Sequence, residues 1–168
     1  MSIILTFSLS AIALKNDSKQ AIHINSVRQS LNLEKNITIF TKNITIKQGS
    51  IDIRANKVIV TQANNTKKII LEAYGTPVTF YQMQEHGKAI QGHSDSILYE
   101  MEKERIILTG NAYLEQSDSN IRGDKITYLI KTQQMEAFSN TGKKVTSILL
   151  PAQLQKKNFI IKNKNNIN

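Results

Sequence analysis

The side chains that most often do chemistry are sparse in this sequence. The three histidines are His23, His86 and His93, none at a metal-ligand spacing from another, and cysteine is absent. Metal sites need clustered nitrogen, sulfur or carboxylate ligands, so we expect neither a metal site nor thiol chemistry. No glycine-rich phosphate loop and no G-x-S-x-G nucleophile elbow is present. We therefore expect a protein that is not an enzyme and uses no cofactor.

Two aspartates, Asp52 and Asp124, lie in two related stretches, and we interpret both as turn or solvent-facing residues. Residues 43–58 and 111–126 align without a gap. Such a repeat predicts stacked β units that bury one continuous apolar strip, although two unrelated hairpins can also agree by chance. Five identical pairs share one offset of 68 positions: Asn43/Asn111, Gln48/Gln116, Ile53/Ile121, Arg54/Arg122 and Lys57/Lys125.

The sequence predicts β-strands from residue 21 to about residue 150, and the two related stretches lie within this region. Apolar and polar residues alternate there, and Asn, Gly, Asp or Ser interrupts the pattern every seven to fifteen residues or so. No stretch sustains a helical period, and the 168 residues suffice for one domain with a real core. The sequence therefore predicts an all-β sandwich or roll. Typical alternating sets are Ile44/Ile46, Ile51/Ile53, Val78/Phe80, Ile97/Tyr99/Met101 and Ile126/Tyr128/Ile130.

Local signals give finer expectations within this β region. Gly110-Asn111 predicts a turn that opens the second repeat unit, and Gly123-Asp124 predicts a corner between two short strands. Pro77 cannot donate a ladder hydrogen bond, so we expect it at a strand start or on an edge strand.

Both ends of the chain differ from its middle. An apolar run at 3–14 includes the A-x-A pattern Ala11-Ile12-Ala13 and precedes a polar stretch, which predicts a signal peptide over residues 1–13. The alternative is a first buried strand. After residue 150 the composition becomes rich in Lys and Asn, and we expect residues 156–168 to be a disordered basic tail.

The net charge of +9 favours an anionic partner. Combined with an apolar β interior, it suits a ligand that has both an anionic and an apolar part. A general bias of the genome towards lysine is the alternative explanation. Aromatic residues do not interleave with the basic ones on a strand face, so nucleic acid is not the expected partner.

Residues 74–84, which read YGTPVTFYQMQ, and residues 109–128 carry a resemblance to the OstA-like family of periplasmic lipopolysaccharide-transport proteins. The resemblance extends over about residues 21–156, and we place the domain at residues 21–155. Three features depart from the family: no Lys or Arg precedes the apolar run, the loop at Asn64–Lys67 is short, and the tail is rich in Lys and Asn.

The resemblance implies an open β-jellyroll of roughly sixteen antiparallel strands with an apolar interior groove. It also implies a periplasmic location and a head-to-tail homo-oligomer that bridges the inner-membrane and outer-membrane transport complexes. Lipopolysaccharide would travel with its lipid A acyl chains in the groove. Positions that match the lipid-contacting residues of the family are Ile22, Ile24, Leu31, Phe80, Tyr99 and Met101.

Two other classes of function stay open at this point. One is a periplasmic β scaffold or adaptor that binds only protein partners. The other is a carbohydrate-binding β module, although such sites usually present exposed aromatic platforms and this chain has no Trp.

Overall fold

The computed structural model describes residues 17–63, 68–84, 87–140 and 142–149, which form ten strands and one short 3-10 helix. The predicted signal peptide and the predicted tail lie outside these ranges. None of the helical structure in the described ranges is long and apolar enough to cross a bilayer. The elements are η1 (Asp17–Lys19), β1 (His23–Asn25), β2 (Arg28–Asn32), β3 (Ile37–Gln48), β4 (Ile51–Gln62), β5 (Ile69–Met83), β6 (Ala89–Glu100), β7 (Arg105–Gln116), β8 (Ser119–Leu129), β9 (Gln134–Phe138) and β10 (Thr146–Ile148).

The strands form one antiparallel sheet that forks at both ends. Strands β3 to β8 are neighbours in chain order, as expected for hairpin-connected strands. At one end, β1 and β2 both pair with β3, each along a different half of it. At the other end, β9 and β10 divide β8 between them in the same way. The all-β prediction is therefore confirmed.

A line of bends across the middle of the long strands folds this sheet into two facing leaves. The ladder register shifts in each of the five pairings from β3–β4 to β7–β8. A bulge of this kind bends a strand and increases its local twist. The first leaf consists of β1, β10 and residues 44–48, 51–54, 78–83, 89–93, 112–116 and 119–123. The second leaf consists of β2, β9 and residues 37–41, 57–62, 69–74, 96–100, 105–109 and 125–129.

The described residues form ten strands, whereas roughly sixteen were expected. The difference arises because β3 to β8 run through the bends without ending. Each of these six strands contributes one straight segment to each leaf, so the alternation in the sequence changes phase or pauses where no strand ends.

Residues with positive φ make the bends in β3 and β7. Lys42 and Asn43 have φ values of 69° and 49°, and Gly110 and Asn111, one repeat later, have values of 79° and 49°. Glycine and asparagine enter this left-handed region more readily than other residues. The Asn43/Asn111 pair of the repeat therefore marks an equivalent bend. The predicted turn at Gly110-Asn111 is wrong, because β7 continues through it.

Two further local predictions are corrected by the same bends. Gly123-Asp124 lies inside β8, at the point where the partner strand changes from β10 to β9, and not between two strands. Pro77 lies in the interior of β5 and not at an edge. The β5–β6 register shifts between Tyr74 and Val78, so the proline falls at a bulge, where no ladder bond needs its missing N–H.

The core lies between the two leaves, and both leaves contribute to it. Twenty hydrophobic residues of the described chain are buried in a single cluster. Alternate residues of each segment point inward, as the period of two requires. The largest fully buried side chains are Tyr99, Tyr128, Phe80, Ile44, Ile46, Ile51, Ile53, Leu71, Ile90, Ile97, Ile106 and Leu108.

Candidate binding groove

The space between the leaves is an apolar groove whose walls are mainly aliphatic. Phe80 of the first leaf contacts Tyr128 of the second, with ring centroids 6.1 Å apart and an interplanar angle of 58°. In this closed arrangement the side chains of the two leaves fill the groove themselves. Any ligand that enters must therefore separate the leaves and replace contacts between side chains.

The groove widens at the fork between β9 and β10. A cavity of about 230 Å³ lies there, lined by Leu114 and Ile121 of the first leaf, Met135 of β9 and Leu149 just beyond β10. Because β9 and β10 pair with different halves of β8, they diverge and expose the end of the apolar interior.

Five of the six predicted lipid-contacting residues lie in or against the core. Phe80 and Tyr99 are fully buried between the leaves. Ile22, Ile24 and Met101 are partly buried and pack against the same cluster. Contact of these residues with lipid stays a prediction.

Leu31, the sixth predicted residue, is 56% exposed on β2. All five residues of β2 are exposed, because β2 is an edge strand at the opposite fork and diverges from β1. The structure therefore does not bring Leu31 together with the other five.

A row of buried polar side chains, which sequence reasoning did not find, crosses the groove. The Tyr99 hydroxyl of the second leaf donates to Gln48 Oε1 of the first leaf at 2.8 Å. The Tyr128 hydroxyl donates to Gln82 Oε1 at 3.1 Å and accepts from Gln84 Nε2 at 2.9 Å. We call these five residues the polar row. Buried polar groups need such partners, and no described buried side-chain nitrogen or oxygen lacks one.

The polar row lies along the side of the groove opposite the bends, and we call this side the mouth. Gln48 ends β3, and Tyr99, Tyr128 and Gln82 each lie one residue before the end of their strand. The bends lie at the other ends of these segments, so the strand ends of the two leaves meet on this side. Burial raises the pKa of the Tyr99 phenol well above its usual range. Burial also raises the pKa of Tyr128, although the hydrogen bond from Gln84 opposes this shift. Both phenols therefore remain protonated donors at physiological pH.

The buried carboxylate of Asp17 holds the helix η1 on the first-leaf side of the mouth. Asp17 Oδ1 accepts from the Ser50 backbone N–H at 2.8 Å, and Oδ2 accepts from the Ser50 hydroxyl at 2.6 Å and from Gln82 Nε2 at 2.9 Å. Asp17 is only 5% exposed. Gly49 has a φ of 57° and leaves the space that this carboxylate occupies, since a Cβ there would overlap Asp17.

The rest of η1 connects the two leaves. Gln48 Nε2 donates to the backbone carbonyls of Ser18 and Gln20, at 3.2 and 3.0 Å. On the other side, the Ser18 hydroxyl donates to Glu104, which lies in the turn between β6 and β7 of the second leaf. Together with the Asp17 contacts, these bonds place η1 across the mouth.

The sequence contains a weak signal for Gln48 of the polar row but none for Asp17 of η1. Gln48 is one of the identical pairs of the repeat, and its partner Gln116 also ends a first-leaf strand. Asp17 stands in a polar stretch directly after the predicted signal peptide, where nothing in the pattern distinguishes it. In the described part of the chain, no three His, Asp or Glu side chains are close enough together to hold a metal ion.

Comparisons with known proteins agree with this architecture. The family model described as LptA/(LptD N-terminal domain) LPS transport protein matches residues 23–134. The lipopolysaccharide export system protein LptA of Escherichia coli strain K12 is 51% identical over 158 residues, which cover 94% of this chain and 85% of that protein. LptA of Haemophilus influenzae is 47% identical over 150 residues, which cover 88% of this chain and 87% of that protein.

A solved structure shows the same fold. The crystal structure of LptH, the LptA-homologous periplasmic component of the lipopolysaccharide transport device of Pseudomonas aeruginosa, superposes with a TM-score of 0.74 at 20% identity. The match covers 81% of this chain and 99% of LptH. The family model spans more than half of the chain and two relatives are far above 30% identical, so the resemblance is confirmed: the chain belongs to the family of LPS transport proteins formed by LptA and the N-terminal domain of LptD.

Proposed function

We propose that this protein binds lipopolysaccharide in the periplasm and carries it from the inner to the outer membrane, with the acyl chains held between the two leaves. The observation that carries the proposal is the apolar interior, which extends as one cluster from the β1–β2 side to the β9–β10 fork. The relatives are named lipopolysaccharide export system proteins, which supports the same ligand.

The physics of the interior suits passage of a lipid. Each buried methylene contributes about 0.8 kcal/mol, so several acyl chains together supply enough free energy to separate the leaves. Aliphatic walls offer non-directional contacts of similar strength at every position. A chain can therefore shift along the groove without a deep energy minimum.

We further propose that Ile22, Ile24, Phe80, Tyr99 and Met101 contact the acyl chains. Their support is their place in or against the core. For Leu31 the support is the family resemblance alone, and its exposed edge position also suits contact with a neighbouring protein.

Site-specific photo-crosslinking tests the groove. A photoreactive residue at Ile24, Phe80 or Tyr99 should capture lipopolysaccharide in cells that export it. The matched control is Thr79, which adjoins Phe80 on β5 but is exposed, together with the exposed Lys47. Equal capture at inward and outward positions contradicts an interior route. Capture of proteins alone at the inward positions identifies a scaffold or adaptor instead.

The forked ends support a second part of the proposal, head-to-tail stacking of protomers and of related jellyroll domains in the membrane complexes. Each end presents strands with one unpaired edge: β1 and β2 at one end, β9 and β10 at the other. Such edges accept a further strand through main-chain hydrogen bonds. Ile148 and Leu149 are 55% and 57% exposed, so apolar surface is also available at the β10 edge. Because the two ends differ, the contact does not close and yields chains of protomers.

Light scattering tests this stacking. The average mass of the mature protein should rise with concentration, whereas a protein that lacks residues 144–168, and with them β10, should stay monomeric. The truncated protein with a photoreactive residue in place of Phe80 should still capture lipopolysaccharide. This result separates stacking from lipid binding. Growth of the truncated form contradicts the proposed edge pairing.

The periplasmic location includes a processing step, the removal of residues 1–13. N-terminal sequencing of protein from the periplasmic fraction should begin at or near Leu14. An intact Met1 on that protein contradicts this step.

A further inference from the structure

We infer that the polar row and Ser50 form a binding site for the carbonyl and anionic oxygens of an amphiphile, and that η1 occupies this site while no lipid is bound. The inference rests on the proposed function, because it assigns the residues that recognise the boundary between the acyl chains and the head group. Among the residues that the structure describes, the buried polar side chains outside this site and η1 are those of Ser94 and Ser119.

The η1 contacts indicate which kinds of ligand oxygen the site binds. Gln48 Nε2 is bound by two peptide carbonyl oxygens, from Ser18 and Gln20. Ser50 and Gln82 together direct three N–H or O–H donors at one carboxylate, that of Asp17. The site thus binds neutral carbonyl oxygens and an anionic oxygen side by side. Amide-linked and ester-linked acyl chains next to a phosphorylated sugar present the same two kinds of oxygen.

The site lies at the depth at which a bound lipid would present these oxygens. The polar row lies at the mouth, at the outer limit of the aliphatic walls. A lipid whose chains fill the groove and whose head group stays outside must place its acyl linkages at this level. The ligand groups and the protein donors therefore meet at the same depth.

Separation of the leaves favours a ligand that has polar groups at the mouth. When the leaves separate, the Tyr99–Gln48 and Tyr128–Gln82 bonds across the groove must break. A buried polar group without a partner is costly, so entry is favourable only if new partners replace the lost ones. A lipid with carbonyl oxygens at the mouth supplies new acceptors for the tyrosine hydroxyls, and for the glutamine amides that η1 releases, whereas a purely apolar chain supplies none.

The same contacts make η1 a competitor of the lipid. η1 and the ligand use the same donors. The apparent affinity is therefore the intrinsic affinity multiplied by the fraction of molecules in which η1 is released. Weakening η1 without changing the donors should therefore tighten lipid binding. Removing a donor after η1 has been released should then weaken it.

The experiment uses purified lipopolysaccharide as the probe and the mature full-length chain. Asp17→Ala removes the acceptor of three hydrogen bonds, and we expect an about tenfold lower Kd than in the unchanged protein. Ser18→Ala severs only the link to Glu104 and should lower the Kd in the same direction by a smaller factor. In the Asp17→Ala background, Gln82→Met should raise the Kd again by about tenfold, since it removes a donor to the ligand.

An ether-linked glycolipid with chains of the same length is the matched ligand, because it lacks the acyl carbonyl oxygens. Gln48→Met in the Asp17→Ala background should weaken binding of lipopolysaccharide but not of the ether lipid. A nitroxide on Lys19→Cys reports η1 directly, since the chain has no other cysteine, and should become more mobile when lipopolysaccharide is added. A nitroxide at the exposed outward position Lys57→Cys should show no change.

The outcomes separate this inference from the proposed function. Absence of saturable binding by the unchanged protein overturns both. Binding by the unchanged protein with no gain from either η1 variant overturns the inference alone. A gain that persists in the glutamine double variants shows that η1 only obstructs the mouth, and this also overturns the assigned recognition site.

Discussion

The Tyr99 hydroxyl donates a hydrogen bond of 2.8 Å to the Gln48 side-chain oxygen across the groove, although the two residues belong to different leaves. Both side chains are at most 1% exposed. The bond ties the second leaf to the first at the mouth, and the Gln48 amide of the same side chain holds η1. One glutamine thus connects the closed state of the groove with the position of the N-terminal segment.

Loss of this bond should destabilise the closed protein. Tyr99→Phe leaves Gln48 Oε1 buried without its donor, and we expect the free energy of unfolding to fall by about 1–3 kcal/mol in urea titrations. The matched control is Tyr74→Phe, since the Tyr74 hydroxyl donates to Glu72 on the exposed surface. That change should alter stability by no more than about 0.5 kcal/mol. Equal effects of the two changes would show that the cross-leaf bond has no special role.

Removal of the central aromatic side chain should have a larger effect. Phe80 is 1% exposed and packs on Tyr128, so Phe80→Ala should cost about 3–5 kcal/mol through the lost contacts and the cavity. Phe138 is 57% exposed on β9, and Phe138→Ala should change the unfolding free energy by no more than about 0.5 kcal/mol. Thermal unfolding of the two variants side by side measures the difference. A stable Phe80→Ala protein contradicts the closed packing of the leaves.

The bend in β3 should depend on the backbone conformation of Asn43. With φ at 49°, Asn43→Val forces a β-branched residue into the left-handed region and should cost about 1–2 kcal/mol, whereas Asn43→Gly should be tolerated. Asn56 of β4 is also exposed but does not have a positive φ. Asn56→Val should therefore be neutral or mildly stabilising in the same urea titrations. If both valine variants unfold alike, the positive φ does not determine the bend.

The connection to β10 should respond to acid through Asp124. Its carboxylate accepts from the Asn140 backbone N–H at 2.8 Å and from Lys143 Nζ at 3.1 Å. These two bonds, the first above all, lower the pKa of Asp124 below its ordinary value of 3.8. Because the folded pKa is the lower one, the tether is fully present above pH 3.8 and is lost as the pH falls through the folded pKa.

Nuclear magnetic resonance measures this directly. The Asn140 amide resonance should titrate with a midpoint below 3.8, and the titration should disappear in Asp124→Asn. A midpoint at or above the ordinary value contradicts the tether.

Much of the local structure follows from the sequence. Alternation with period two placed Phe80, Tyr99 and Tyr128 on apolar faces, and all three are buried. The repeat correctly related Asn43 to Asn111, since both occupy the same kind of bend. The all-β class and the family were likewise predictable, because both depend on patterns of neighbouring residues.

Other features were decided only by the tertiary structure. A bulge and a turn use the same residue types, so Gly110-Asn111 could not be assigned to one of them before the pairing of β7 with its neighbours was known. Leu31 has the alternation of a buried residue, yet the fork leaves its strand uncovered. Burial depends on what lies opposite, and that is a property of the folded sheet.

The polar row shows the same limit most clearly. Gln48 and Tyr99 are 51 positions apart, and η1 meets Gln82 across 65. A glutamine at a strand end reads as a solvent-exposed residue in any local window. Only the folding of one sheet into two leaves brings these polar groups together in a buried place, where each must find its partner in the other leaf or in η1.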